Sequence, residues 1–298
     1  MAFAQHSKPL LTATAALAAL LLPALLVSAE PVEVELSGWA GNLGFSSGRS
    51  TDDTGLGHDT LSWEGRAGVT GTVLDGFLLT GAYEHDSAMG DTVGVTLGYS
   101  GQIMTVAAGP FLGFLAESDT PHLLKPGLTA SMRADLWNVG FVSLTGDVTL
   151  AAELDTDNTD FRQYRVSPRL GFYVPNIVGT FEYDRTVLLY ADGDGGREED
   201  RETEYAFSAE VFRKAIPYRI LLRMGFRHRE KTFPDGGVHG LGAALFTPGF
   251  TYDPGNALRL TLRLENGLYV FGREDLLGEV AADRYFFRAH LGARVRFE

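Results

Sequence analysis

The chain has 298 residues, of which 36 are glycine and 11% are aromatic, and it contains no cysteine. The absence of cysteine excludes disulfide scaffolds, cysteine-ligated metal sites and cysteine nucleophiles. With 38 acidic and 25 basic residues the net charge is -13, which argues against nucleic acid as a partner because that affinity needs a basic surface.

The N-terminal residues have the pattern of a secretory signal peptide. Lys8 precedes a mostly apolar run from Leu10 to Leu26, and Val27-Ser28-Ala29 is a small-residue cleavage pattern. A transmembrane helix would need about 20 apolar residues with basic flanks, which fits less well. We therefore expect residues 1–29 to be a signal peptide. Without Lys8, the remaining chain carries 24 basic and 38 acidic side chains, a net charge of -14.

From Val32 onward, apolar and polar residues alternate with a period of two in segments of about 9 to 15 residues, which indicates β-strands. The last segment, Arg284 to Phe297, has seven apolar residues on one face and five basic residues on the other. Soluble strands usually stop after about five or six residues, whereas this segment is long enough to cross a bilayer at a tilt. In the first segment the apolar parity changes between Leu36 and Trp39, which predicts a β-bulge near Gly38.

The connections between these segments alternate between tight turns and longer polar loops. Tight turns are predicted at Asp75-Gly76, Ser100-Gly101, Asn138-Val139, Pro175-Asn176, Lys214 to Pro217 and Asp253 to Gly255. Loops are predicted at Ser46 to Asp59, Asp86 to Asp91, Ala116 to Pro126, Asp155 to Asp160, Ala191 to Thr203, Lys231 to Gly237 and Gly272 to Ala282. Transmembrane barrels have short periplasmic turns and long extracellular loops. The sequence therefore predicts an all-β fold over residues 30–298, a transmembrane antiparallel up-and-down β-barrel of about 14 strands, with about 12 as the alternative.

Aromatic residues gather near the segment ends, which predicts two interfacial girdles. Those beside tight turns are Phe77, Tyr99, Trp137, Tyr173, Tyr218, Tyr252 and Phe297. Those beside longer loops are Tyr83, Phe161, Tyr190, Tyr205, Tyr269 and Tyr285.

The C-terminal residues resemble the terminal strand signal of bacterial outer-membrane β-barrels. The signal is carried by His290, Gly292, Val295 and Phe297, and Glu298 follows the aromatic residue where such chains commonly stop. The resemblance implies export across the inner membrane, insertion by the barrel assembly machinery and a location in the bacterial outer membrane. A barrel of about 14 strands would be similar to monomeric porins and outer-membrane fatty-acid channels, although no residue motif identifies either.

The arginine distribution indicates how the barrel interior is lined. Each arginine placed in lipid near the midplane would cost about 2 to 4 kcal/mol, so arginines that share a strand face should point into the lumen. The predicted pore-lining residues are Arg219, Arg223, Arg227, Arg259, Arg263 and Arg288, with the acidic residues Glu182, Asp184 and Glu210. These positions predict one basic wall opposite a more acidic one. Arg185 has outward parity, and we expect it at the outer rim, where lipopolysaccharide phosphates could meet it.

Barrel closure predicts a seam between the first and last strands. Glu33 and Glu35 should lie beside Arg294 and Arg296, with the side chains turned inward. The seam should then carry crossed ion pairs.

A second pairing is predicted within a hairpin. With the turn at Pro175-Asn176, Arg169 falls opposite Glu182, and Arg165 lies diagonal to Asp184. At least one close ion pair is expected here.

Catalytic and metal-binding motifs give no convincing site. The sequence has no HExxH and no GxSxG. In Glu84-His85-Asp86-Ser87, neighbouring strand residues point to opposite faces and cannot form a relay. Asp192 to Gly196 resembles the start of a calcium loop but lacks the later EF-hand ligands, and residues 197–202 are predicted to be a solvated loop. We expect neither an enzyme nor a cofactor.

The sequence is best interpreted as a pore for the passive diffusion of small polar solutes or ions, surrounded by outer-membrane lipid and lipopolysaccharide. In the competing interpretation, arginines and carboxylates form an ion-pair network that fills and stiffens the barrel. A wider lumen at higher strand number favours the pore. An adhesion or binding barrel that uses its acidic loops, a hydrolase and a hydrophobic-substrate channel remain alternatives. The mid-height arginines predict a pore that is weakly anion-preferring or nearly unselective despite the acidic surface.

Overall fold

The computed structural model describes residues 30–42, 61–86, 90–115, 123–150, 161–191, 197–213, 215–233, 236–255, 257–272 and 285–297. The predicted signal peptide and Glu298 lie outside these residues. The strands are β1 Glu30–Asn42, β2 Leu61–Leu74, β3 Phe77–Asp86, β4 Gly90–Ser100, β5 Met104–Leu115, β6 Leu123–Leu136, β7 Gly140–Thr149, β8 Phe161–Val174, β9 Ile177–Ala191, β10 Arg197–Phe212, β11 Tyr218–Thr232, β12 Val238–Gly255, β13 Leu258–Gly272 and β14 Tyr285–Phe297. The described residues include no helix that is long and apolar enough to span a membrane.

The strands form one closed barrel. Each strand pairs antiparallel with its neighbours in the sequence, and β1 also pairs with β14. The seam has the predicted register, with Glu33 opposite Arg296 and Glu35 opposite Arg294. This confirms the up-and-down barrel and its 14 strands. Because closure leaves no open sheet edge, the backbone polar groups can be satisfied within the membrane.

The outer surface is an apolar belt. Large apolar side chains with substantial exposure occur on most strands and include Leu97, Leu112, Met132, Leu144, Leu170, Phe181, Ile220, Leu222, Met224, Phe246, Leu262 and Leu291. Buried charged residues lie on the opposite parity, among them Glu204, Glu265 and Arg288. This is the inverse of a soluble protein and matches a barrel whose outer face meets acyl chains.

Some strands are longer than predicted. β10 begins at Arg197, so the predicted loop from Ala191 to Thr203 is wrong, and residues 197–202 are strand and not loop. The ladder between β10 and β11 continues past the predicted boundary because Asp200 and Arg229 form a buried ion pair within it. Partner charges on adjacent strands let a charged segment remain in a sheet.

Two smaller boundaries also differ from the prediction. β12 continues to Gly255, which pairs with Leu258, so Asp253 to Gly255 belong to the strand and the turn predicted there is wrong. β6 begins at Leu123, inside the predicted loop that ended at Pro126. In both places the backbone ladder extends beyond the apolar alternation that the prediction used.

The bulge predicted near Gly38 is absent from the described β1 ladders. β1 pairs with β14 without interruption from Val32 to Asn42, and the register shift against β2 lies between Glu30 and Glu33. The change of parity has another cause. Trp39 faces the lumen, where its ring lies 4.7 Å from the ring of His290. An aromatic residue on the inner face therefore changed the apolar parity in the way that a β-bulge would.

The predicted aromatic girdles hold only in part. Trp137 is 81% exposed beside its turn. Tyr173, in contrast, donates a hydrogen bond to Asp135 at 3.1 Å, and Tyr269 is buried 5.2 Å from the ring of Phe286. Both tyrosines have inward parity, so their interfacial assignment is wrong. A position near a strand end did not place these side chains on the outer surface, because parity determines which face of the sheet a side chain occupies.

Candidate functional site

The inner face of β11 carries the arginines that the sequence singled out. Arg219, Arg223 and Arg227 alternate with outward residues that are exposed and apolar. The exposed outward residues are Tyr218, Ile220, Leu222 and Met224. The alternation therefore places these arginines in the lumen, which is where the sequence predicted them.

The arginines of β11 form ion pairs with acidic residues of β9 and β10. Arg223 Nε lies 3.0 Å from Glu182 Oε2, and Arg223 also pairs with Glu204. Arg227 lies 2.8 Å from the same Glu204. These side chains are mostly buried, so each charge is compensated at close range and shielded from bulk water.

The ion pairs continue around the wall to β2. Arg227 lies 3.3 Å from Glu265 on β13, and Arg288 on β14 lies 2.7 Å from that carboxylate. Arg288 also reaches Glu64 on β2 at 3.1 Å. We call the alternating chain Glu182, Arg223, Glu204, Arg227, Glu265, Arg288 and Glu64 the charge ladder.

A second group of ion pairs lies nearer the short-turn rim. Arg219 pairs with Glu210 at 2.9 Å and with Asp253 at 3.3 Å, and Arg259 pairs with Asp253 at 2.7 Å. These residues lie next to the turns that join β10 to β11 and β12 to β13. These ion pairs compensate charge at the rim. The arginines at mid-height pair instead within the charge ladder.

The barrel seam closes with further ion pairs. Arg294 lies 3.3 Å from Glu33 and 3.1 Å from Glu35. A single arginine thus takes both Glu33 and Glu35, in place of the crossed pairs that the sequence predicted.

The predicted separation into a basic and an acidic wall is wrong. The acidic partners lie on strands adjacent to the arginines or one strand further on, so the charges alternate along a single wall. Asp184 takes a different partner and accepts a hydrogen bond from Ser167. Arg169 lies opposite Glu182 as predicted, yet within the described residues Glu182 forms its ion pair with Arg223.

Three acidic members of the charge ladder were missed by sequence reasoning. Glu204, Glu265 and Glu64 all have inward parity in the sheet. Glu204 shares its parity with Glu210, which was predicted, so the alternation could have found it. The prediction did not include Glu204 because it placed a loop up to residue 203, directly before it.

An apolar cluster on the inner face was also missed. Leu241, Ala243, Leu245, Tyr269 and Phe286 are all at most 9% exposed and form one buried group on β12, β13 and β14. Phe286 lies over Gly267, where an added Cβ would come 2.0 Å from the Phe286 Cζ atom. A glycine is needed there because the ring occupies the space of a side chain. One part of the lumen wall is therefore packed and not solvated.

The opposite wall has much smaller side chains. One inner row crosses the sheet through Thr72, Leu78, Gly98, Ala107, Ser131 and Thr145. The next inner row holds Thr70, Thr80 and Thr96, and the row after it includes Gly68, Ala82, Gly94 and the larger Phe111. We call these small inward residues of β2 to β6 the small-residue wall. Glycine, alanine, serine and threonine extend little into the lumen, whereas Phe111 and Lys125 lie over Gly127 and Gly113 on the same strands.

The structure offers little for catalysis or metal binding. In the part of the chain that it describes, no group of three or more His, Cys, Asp or Glu side chains is placed to hold a metal ion. Glu84 faces inward and pairs with Arg66 at 3.4 Å, whereas His85 has the opposite parity and lies 2.8 Å from Asp91. The candidate calcium loop from Asp192 to Gly196 lies outside the described residues.

The residues of the C-terminal signal occupy both faces of β14. His290 points into the lumen against Trp39, and Gly292 follows on the same parity. Phe297 is exposed on the outer surface next to the short-turn rim. Their recognition by the assembly machinery stays a prediction.

Comparison with solved structures identifies the fold. The COG4313 outer membrane channel from Pseudomonas putida F1 matches over 90% of this chain and 95% of that chain, with a TM-score of 0.50 and 10% sequence identity. The outer membrane channel DcaP of Acinetobacter baumannii is 14% identical over 91% and 98% of the two chains, with a TM-score of 0.43. The CymD monoaromatic hydrocarbon channel is 8% identical over 94% and 92%, with a TM-score of 0.47. The likeness concerns the fold, that of bacterial outer-membrane β-barrels. No protein-family model and no curated protein matches the sequence.

Proposed function

We propose that the protein is an outer-membrane pore through which small polar solutes or ions diffuse passively. One observation carries the proposal: a closed barrel of 14 strands has an apolar outer belt and a polar, asymmetric lumen. Barrel diameter grows with strand number, and side chains fill the interior at about eight strands. A barrel of this size with small side chains along β2 to β6 leaves room for a solute path.

The charge ladder and the small-residue wall have separate tasks in this proposal. The ladder and the apolar cluster pack one side of the lumen and stiffen the barrel. The threonine, serine and glycine positions of the other side face the path and offer hydroxyl and backbone groups to a hydrated solute. The two interpretations of the sequence, an ion-pair network and a pore, thus apply to opposite walls of one barrel.

The proposal includes the outer membrane as the location, with lipid and lipopolysaccharide around the belt. Arg185 is exposed on the outer face of β9, in register with Thr203 of β10. A cation at that position suits the phosphates of lipopolysaccharide. Insertion by the barrel assembly machinery and the absence of a catalytic step are parts of the same proposal.

A liposome-swelling assay tests passive diffusion directly. Vesicles that contain the purified barrel should swell in isotonic solutions of small neutral solutes such as arabinose, and more slowly as solute size increases. Vesicles prepared with the same protein after heat denaturation are the control. Swelling no faster than this control for every solute would contradict the proposal.

A further inference from the structure

Arg263 differs from the other arginines predicted to line the pore. Arg219, Arg223, Arg227, Arg259 and Arg288 each form at least one ion pair. Arg263 forms none with any residue that the structure describes. It therefore holds a positive charge in the lumen that no carboxylate of the described strands neutralises at contact distance.

The setting of Arg263 explains why it has no ion pair. The charged groups near it are Glu182 and Glu210, which attract it, and Arg223 and Arg169, which repel it. Glu182 is already held by Arg223 at 3.0 Å and by Ser208 at 2.9 Å, and Glu210 is held by Arg219 at 2.9 Å. Both nearby carboxylates therefore have other partners.

Polar atoms without partners gather around Arg263. Three buried side-chain atoms have no hydrogen-bond partner among the described residues, namely Thr247 Oγ1, Arg263 Nε and His290 Nδ1. Gly249, two residues from Thr247, is in register with Arg263, and Arg263 is in register with His290. All three atoms thus lie on neighbouring strands of one lumen wall. Buried polar groups normally have partners, so these three atoms are positions where water or a ligand in the lumen would be held.

The backbone beside Arg263 is shaped to let its side chain lie across the wall. An added Cβ at Gly249 would come 3.2 Å from Arg263 Cγ and 3.1 Å from Leu221 Cβ. The arginine stem therefore crosses β12 at a glycine and packs beside Leu221. This packing holds the stem of Arg263 against the inner face of β12.

We propose that Arg263, with Thr247 and His290 beside it, is an oxyanion-binding subsite of the lumen. The guanidinium presents a planar fork of donors that matches a carboxylate or phosphate group with two parallel hydrogen bonds. The Thr247 hydroxyl and one tautomer of His290 supply further donors. This proposal rests on the proposed pore function. It adds the class of solute, which is small organic or inorganic oxyanions.

Trp39 provides a direct measure of binding. Its ring lies 4.7 Å from the His290 ring and 4.9 Å below the Arg288 guanidinium carbon. Acetate, succinate and inorganic phosphate are titrated separately into the detergent-solubilised barrel while tryptophan fluorescence is recorded, with chloride at equal ionic strength as reference. We expect saturable changes with at least one of the three oxyanions that are lost when Trp39 is replaced by Phe.

Three substitutions separate recognition from charge alone. R263Q should weaken oxyanion binding at least tenfold. R263K keeps the charge but lacks the planar fork, so it should retain any chloride preference in bilayer currents while still weakening oxyanion binding. R259Q removes the same charge from the rim, where Asp253 keeps its contact with Arg219, and should leave oxyanion binding within about twofold of the parent protein.

The outcomes distinguish the subsite from the pore. Equal titrations for the parent protein and R263Q, or no saturable titration in the parent protein, would overturn the subsite. An R263Q-sensitive titration in detergent together with electrically silent bilayers would support the subsite and overturn the pore function. Current block by the same oxyanion, lost in R263Q and kept in R259Q, supports both.

Discussion

Glu182 on β9 pairs with Arg223 on β11 at 3.0 Å, although Arg169 on β8 lies directly opposite Glu182 in the sheet register. The ion pair passes over β10, where Ser208 donates a further hydrogen bond to the same carboxylate at 2.9 Å. Long side chains inside a tilted barrel lean along their strands and reach beyond the nearest neighbour. Contacts of this kind join strands that share no backbone hydrogen bonds.

The first prediction concerns the stability that Arg223 contributes. Arg223→Gln should lower the free energy of unfolding by about 3 kcal/mol, because Glu182 and Glu204 would each lose a buried partner. Arg66→Gln is the matched control, since the Arg66 and Glu84 side chains are 55% and 49% exposed and such pairs contribute about 0 to 1 kcal/mol. Urea unfolding in detergent, followed by heat-modifiable gel mobility, measures both. Equal midpoints for the two variants would contradict a structural role for the charge ladder.

The second prediction concerns the packed side of the lumen. Gly267→Ala should destabilise the barrel by about 1 to 3 kcal/mol, since the new methyl group would overlap the Phe286 ring. Gly255→Ala serves as control because an added Cβ there meets nothing within 4 Å, and its effect should stay within about 0.5 kcal/mol. Thermal unfolding compares the two variants. A Gly267→Ala barrel as stable as Gly255→Ala would mean that Phe286 does not occupy this position.

The third prediction concerns barrel closure. The chain has no cysteine, so introduced pairs can be read without interference. Ser37 and Gly292 are register partners in β1 and β14, and facing residues of an antiparallel pair have Cα atoms about 4.5 to 5.5 Å apart, within disulfide reach. The double cysteine variant should therefore form an intramolecular disulfide after mild oxidation. A variant with cysteines at Ser37 and Thr129, on strands that are not neighbours, should not; equal cross-linking of both would contradict the seam.

The fourth prediction concerns ion selectivity. Replacing Arg223, Arg227, Arg259, Arg263 and Arg288 together with serine should shift the reversal potential in a salt gradient toward cation preference. The carboxylate partners of Arg223, Arg227, Arg259 and Arg288 would remain in the lumen without compensation. The parent protein should be weakly anion-preferring or nearly unselective. A strongly cation-selective parent channel that the substitutions do not change would show that these arginines have no part in selectivity.

Much of the fold could be predicted from the sequence because a period of two reports strand faces directly. The register at Glu35 and Arg294, and at Arg169 and Glu182, followed from turns and parity alone. Side-chain partners did not follow, because they depend on strand tilt and on reach across strands. The sequence therefore could not show that Arg263 forms no ion pair with the described residues, since this depends on Glu182 and Glu210 already having other partners.

Strand ends were the other source of error. The acidic run at residues 197–202 has the composition of a loop, yet the buried Asp200 and Arg229 pair and the β10 and β11 ladder keep it in the sheet. Composition describes how a segment interacts with water. It does not show that a neighbouring strand carries the complementary charges.

Single-channel recording in planar bilayers tests the pore function most directly. The purified, heat-modifiable barrel should insert and give steady, stepwise conductance that increases with salt concentration. The Arg263→Gln variant, which breaks no ion pair among the described residues, should insert as readily and also conduct. Folded barrels that insert into vesicles but remain electrically silent in repeated recordings would contradict the conclusion that this protein is a diffusion pore.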